Sequence, residues 1–153
     1  METPKQEAIG RVRSLLSAGG TGALSVLDVD GGGPFTTLVN VAVGTDLQPL
    51  VLISSLAHHS KCLARDARAS LMLHDVIVDD ADPMLTFRAS LLGRFAEVER
   101  EIASGPFLTR HPYAELYADF GDFSYWRMAV DHVHIIAGFG RAYGVRFKDI
   151  AAS

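Results

Sequence analysis

Ile9, Val12, Leu15 and Leu16 recur at the spacing of one helical face, and Thr3 followed by Pro4 supplies an N-cap with proline at the first helical position. The chain therefore opens on an amphipathic helix, which Gly19-Gly20 ends. From Ala23 the period drops to two: Leu24 and Val26 alternate with Ser25 and Leu27, and Asp30-Gly31-Gly32-Gly33-Pro34 carries hairpin chemistry. A returning strand begins at Phe35. Phe35, Thr37, Val39, Val41 and Val43 share one of its faces, while Thr36, Leu38, Asn40 and Ala42 share the other, a mixed surface suited to border a ligand.

Gly44-Thr45-Asp46 turns the chain into a short apolar strand, Leu50 to Ile53, which runs through Ser54-Ser55 into a helix from about Ala57 to Ala67. Ala69 to Val76 reads as a buried strand. After the acidic turn Asp79 to Pro83, residues Leu85 to Phe95 alternate as a long strand. Glu101 to Arg110 and Pro112 to Ala118 read as short helices divided at His111-Pro112, because the residue before proline disfavours the α region. Two further strands are expected, Phe123 to Val130 and His132 to Tyr143. The fold class is mainly β with flanking helices (α+β): six or seven antiparallel strands in a closed or partly open barrel, without crossover helices for a doubly wound sheet. No linker divides it, so residues 1–153 are expected to form a single domain.

The formal net charge of −4 argues against a surface built to neutralise many phosphates, so no nucleic-acid partner is expected. Among the 14 cations, arginine outnumbers lysine, a bias towards pinpoint recognition of carboxylate or phosphate that high genomic GC content also produces. The single Cys62 cannot build an internal disulfide framework. No apolar run approaches membrane-span length and the N-terminus is not signal-like, so a soluble cytoplasmic protein is expected.

The most informative segment is Leu52 to Lys61, an apolar strand that ends in hydroxyls and enters a helix carrying a lysine. Helix N-terminal amides, serine hydroxyls and an ammonium are the donors a phosphate needs. On this segment alone, capping of the helix by Ser54 or Ser55 with Lys61 in solvent is the favoured reading. The His58-His59 and His132/His134 pairs lack a familiar set of cysteine and carboxylate ligands, so hydrogen-bonded histidines and no metal are expected. Cys62 reads as a small packed side chain, and no catalytic acid, base or nucleophile stands out. The run Tyr117 to Arg127 holds five aromatics, suited to a planar ligand, a subunit interface or plain core packing.

Four segments in order resemble the pyridoxamine 5'-phosphate oxidase-like FMN-binding split barrels, in the branch related to haem-utilisation proteins: Pro34 to Val39, Leu52 to Lys61, Asp66 to Leu71 and Gly138 to Ala142, together with Asp119 to Phe123. The resemblance implies a homodimer with FMN at the subunit interface. It places the flavin edge at Thr36, Thr37, Leu38 and Val39, and the phosphate at Ser54, Ser55, His59, Ser60 and Lys61. Trp126, Gly140 and Arg141 are weaker carry-overs, as contributions from a partner subunit. It further implies an FMN-dependent oxidoreductase acting on a small molecule or electron donor. The alternatives are a non-catalytic flavin- or haem-binding protein and a deazaflavin-dependent reductase. The vitamin B6 oxidase's substrate-binding tail has no counterpart after Tyr143, which speaks against vitamin B6 oxidation.

Overall fold

The computed structural model describes residues 1–152. Its strands are β1 (Gly20–Leu27), β2 (Pro34–Val43), β3 (Pro49–Ser54), β4 (Arg68–His74), β5 (Arg88–Glu97), β6 (Phe123–Ile136) and β7 (Ala142–Arg146). They pair antiparallel in the order β3-β2-β1-β4-β5-β6-β7, and a further β3–β6 pairing closes the first six into a barrel. The helices are α1 (Pro4–Ala18), α2 (His58–Arg65), α3 (Arg100–Arg110) and α4 (Phe147–Ala151).

Alternation explains the closure. Leu24 and Val26 on β1, Leu71 and Leu73 on β4, Leu91 on β5 and Val133 and Ile135 on β6 all turn inward to one buried cluster. α1 plugs this barrel with Ala8, Val12, Leu15 and Leu16. A capping box fixes its start: Thr3 Oγ1 accepts from Gln6 N, and Gln6 Oε1 accepts from Thr3 N. A second cluster, with Ala42, Leu50, Phe107 and Tyr125, lies under α3. There His111 is buried, its imidazole within hydrogen-bonding distance of Val41 O (Nε2, 2.9 Å) and the Tyr113 hydroxyl (Nδ1, 2.5 Å).

The structure corrects several sequence-derived boundaries. The two expected strands Phe123 to Val130 and His132 to Tyr143 are one 14-residue strand, β6, and the chain turns at 137–141 before β7. Opposite β5 the pairing steps from Leu92↔His132 to Gly93↔Val130, so Asp131 is an extra residue in a β-bulge. That bulge accounts for the misreading, since one inserted charged residue breaks the alternation without ending the strand. The strand expected from Leu85 starts at Arg88, because Pro83–Leu85 forms a 3-10 turn capped by Asp82. Pro112–Leu116 is likewise a 3-10 turn rather than an α-helix to Ala118. The strand expected over Ala69 to Val76 runs from Arg68 to His74.

Candidate functional site

β3 delivers Ser54 to the barrel rim and α2 starts three residues beyond Ser55, as the sequence leads one to expect. The hydroxyls, however, are committed elsewhere. Ser54 Oγ donates to Asp122 Oδ2 at 2.5 Å and accepts from Leu56 N, while Ser55 N donates to the Asp122 carbonyl at 2.7 Å. Ala57 stands at the N-cap and no side chain among the described residues caps α2; Ser60 N donates to the Ala57 carbonyl at 3.2 Å, which leaves the His58 and His59 amides for solvent or an anion. Ser60 is buried, and Lys61 is exposed without a salt bridge among the described residues. Burial, and then the neighbouring His58, hold the His59 imidazole below its ordinary pKa. Both effects disfavour the charged His59 ring in the free chain.

The outward positions of the sheet form a second surface. Strand register aligns Thr36, Ser25, Ser70, Leu92, His132 and Arg146 in one row across β2, β1, β4, β5, β6 and β7. The next row is Leu38, Ala23, Met72, Ser90, His134 and Gly144. Inward neighbours such as Leu24, Leu71, Leu91 and Val133 are buried, so these rows face out. From β2 to β5 the two rows carry no charge, and Leu38 leaves 72% of its surface in water. At the β6 edge His132 and His134 are both exposed. The Ser25 and Thr36 hydroxyls pair with each other at 2.5 Å, which spends their polarity within the sheet.

Of the residues matched to the flavin edge, Thr36 and Leu38 thus belong to this outward face, whereas Val39 is buried and Thr37 half-buried on the inward side. Trp126 lies in the barrel core, its indole N–H donating to Ser124 Oγ at 3.1 Å. Gly140 and Arg141 sit in the β6–β7 turn, at the far end of β6 from Ser54, which faces Phe123. One chain does not bring them to the α2 cradle. The aromatic run splits similarly: Tyr125 is buried under α3, while Phe120 is exposed. Tyr125 OH is a buried hydroxyl without a hydrogen-bond partner among the described residues. Sequence reasoning missed the two-row face, since its residues come from six strands and only the register aligns them. The outward alternation within each strand was the available signal.

Arg68, at the start of β4, borders that face. Asp66 Oδ1 accepts from Arg68 N and Nε at 3.1 Å each, and Oδ2 accepts from Nη2 at 2.7 Å. The Arg68 side chain, then its backbone N–H, lower the Asp66 pKa from 3.8 to about 2. A depressed carboxylate stabilises the fold above its unfolded pKa, and that contribution fades as pH falls from 3.8 towards about 2. Asp66→Asn is expected to lower the urea midpoint modestly at pH 7 and to leave it unchanged below pH 2. A midpoint difference that does not depend on pH would remove the ion pair as its cause.

A family model described as CREG, beta-barrel, matches residues 4–150. The chain belongs to the CREG beta-barrel family. Among curated relatives of this CREG-family barrel is the chloroplastic heme oxygenase HOZ of Arabidopsis thaliana, 29% identical over 88% of this chain. A solved heme binding protein from Mycobacterium smegmatis is 27% identical with a TM-score of 0.88 over 99% of this chain. The chain spans 42% of HOZ and 62% of the M. smegmatis protein. A Clostridium acetobutylicum protein of the pyridoxinephosphate oxidase family, related to general stress protein 26 of B. subtilis, matches with a TM-score of 0.69 at 11% identity, over 94% of this chain and 97% of that one. At that identity it shares the fold alone. The oxidase-like split barrel and its haem-utilisation branch, to which the sequence segments pointed, are thus both represented among the relatives. No helix of the described residues is long and apolar enough to cross a membrane.

Proposed function

We propose that this CREG-family barrel binds haem. In this reading it pairs with a second copy through the two uncharged rows of β2, β1, β4 and β5, and holds the tetrapyrrole at the edge marked by His132 and His134. The observation that carries the reading is the register itself, which sets two exposed imidazoles beside Leu92 and Ser90 at the end of an uncharged surface. A haem needs a flat apolar platform, a nitrogen ligand for iron and cations for two carboxylates. Leu92 supplies platform and the histidines supply nitrogen. Arg146, opposite His132, and Arg88, opposite Ile136, bring guanidinium groups to the same region. The names of HOZ and the M. smegmatis relative support the choice of ligand. Bound haem would bring iron redox chemistry; the chain contributes ligation, orientation and exclusion of water.

A second reading, FMN held at the start of α2 in an oxidoreductase, is favoured by the lack of a side-chain cap on α2 and by Lys61, which has no salt bridge among the described residues. The donor set fits a phosphate less well than the sequence implied. Ser54 already donates to Asp122, whose carboxylate would face the incoming negative charge, and burial disfavours a charged His59.

Haemin titration followed by absorption tests the haem reading. Loss of an imidazole that would hold the iron is expected to move the Soret band and to weaken binding about tenfold or more in His132→Ala or in His134→Ala. Wild-type band position and affinity in both variants and in the double variant would remove the β6 edge as the site.

A further inference from the structure

His58 and Cys62 stand four residues apart on α2, the spacing that puts two side chains one above the other on a helix face. The residue that completes a cluster with them comes from the loop that follows β1. Asp28 follows β1 directly, and its Oδ1 lies 3.0 Å from His58 Nε2. One ligand atom from each of Asp28, His58 and Cys62 lies within 4.8 Å of the others. The sequence reading expected ordinary histidines and no metal here, because the carboxylate is 30 positions from the histidine. Folding brings them together.

We propose that Asp28, His58 and Cys62 bind a zinc-like divalent transition-metal ion. A tetrahedral ion with bonds of about 2.0 to 2.3 Å needs its ligands roughly 3.3 to 3.8 Å apart, so an adjustment of about 1 Å closes the cluster. Mixed sulfur, nitrogen and oxygen ligands suit zinc or cobalt and not magnesium or calcium. The framework that holds the ligands is well braced. Arg65 Nη1 donates to Val29 O at 2.6 Å, tying α2 to the loop after Asp28. Asp28 N donates to Gly33 O at 2.7 Å, and Gly32 N to Asp28 O at 2.9 Å. The Phe35 and His58 rings meet in a T-shaped contact with 4.9 Å between centroids.

Burial grades across the cluster. Cys62 is fully buried, while Asp28 and His58 remain partly open to water. The ion would enter from the hairpin side and keep its fourth position for water, the arrangement of three protein ligands plus an open site. Binding replaces the Asp28–His58 hydrogen bond with bonds from both residues to the ion, His58 ligating through Nε2 with its proton on Nδ1. The Cys62 thiol proton leaves to solvent, so uptake releases acid. A structural pair beside a packed thiol would do none of this. The proposal does not rest on the haem reading.

Cobalt(II) is the probe, because a thiolate ligand gives it a near-ultraviolet charge-transfer band that histidine and carboxylate alone do not. In the chelator-treated chain the band is expected to saturate at one cobalt per chain and to disappear when zinc is added. Cys62→Ala is expected to abolish the band with far-ultraviolet dichroism retained. Asp28→Asn is expected to keep the band and to weaken cobalt affinity tenfold or more. Absence of the band in the wild-type chain at one equivalent, or its survival in Cys62→Ala, would overturn the site. Haemin is absent throughout, so this outcome and that of the haem titration are independent.

Discussion

Replacing Gly93 with valine is expected to destabilise the barrel by about 3 kcal/mol or more, enough to leave a domain of ordinary stability partly unfolded. A Cβ at this position would lie 2.0 Å from the Ala129 carbonyl oxygen and 2.9 Å from both the Ala129 carbonyl carbon and Val130 Cα. These are backbone atoms, fixed by the β5–β6 ladder on both sides of the bulge, so no side-chain rotation relieves the clash. The close approach is what lets β6 absorb Asp131 and still continue with Val133 and Ile135 pointing inward. Chemical denaturation monitored by Trp126 fluorescence reads the effect directly, since the indole lies in the same core. Gly93→Val with a wild-type midpoint would mean that the β5–β6 crossing is not rigid.

Leu92→Arg is expected to convert the proposed homodimer to monomer, with a dimer dissociation constant raised a hundredfold or more. Leu92 sits in the outward row between Ser70 and His132, with no carboxylate in either row to receive a guanidinium. A face that pairs with its own copy carries every substitution twice, so two unpaired charges enter one interface. Leaving a buried charge without a partner costs several kcal/mol, and each 1.4 kcal/mol is a factor of ten. Sedimentation equilibrium of wild type and variant measures it. Because Leu92 is already partly exposed in the single chain, the monomer should keep its fold. A wild-type chain that sediments as a monomer would refute the pairing without touching the haem ligands.

Much of the fold was legible because its instructions are local. The Thr3-Pro4 start of α1, the glycine-rich β1–β2 hairpin and the strand-to-helix passage at Ser54 each depend on residues within a few positions of one another. The bulge at Asp131 was not legible, since it exists only opposite Gly93. α4 was missed as well: five residues with Phe147 and Ile150 buried are too short for a periodic signal. At the strand-to-helix passage, the run from Ser54 into α2 was legible, but the partner that occupies Ser54 was not. Asp122 lies 68 positions away and reaches Ser54 because Ser54 pairs with Phe123 across β3 and β6. The same cause hid the row of Leu38, Met72, Ser90 and His134, and the convergence of Asp28 with His58.

Parallel titration of the purified chain with haemin and with FMN is the most direct test of the ligand. Haem binding predicts a Soret shift that saturates at a fixed stoichiometry, while FMN fluorescence stays at the value of free flavin. Saturable quenching of FMN, with haemin giving only a non-saturating absorbance rise, would contradict the haem assignment and move the cofactor to the start of α2.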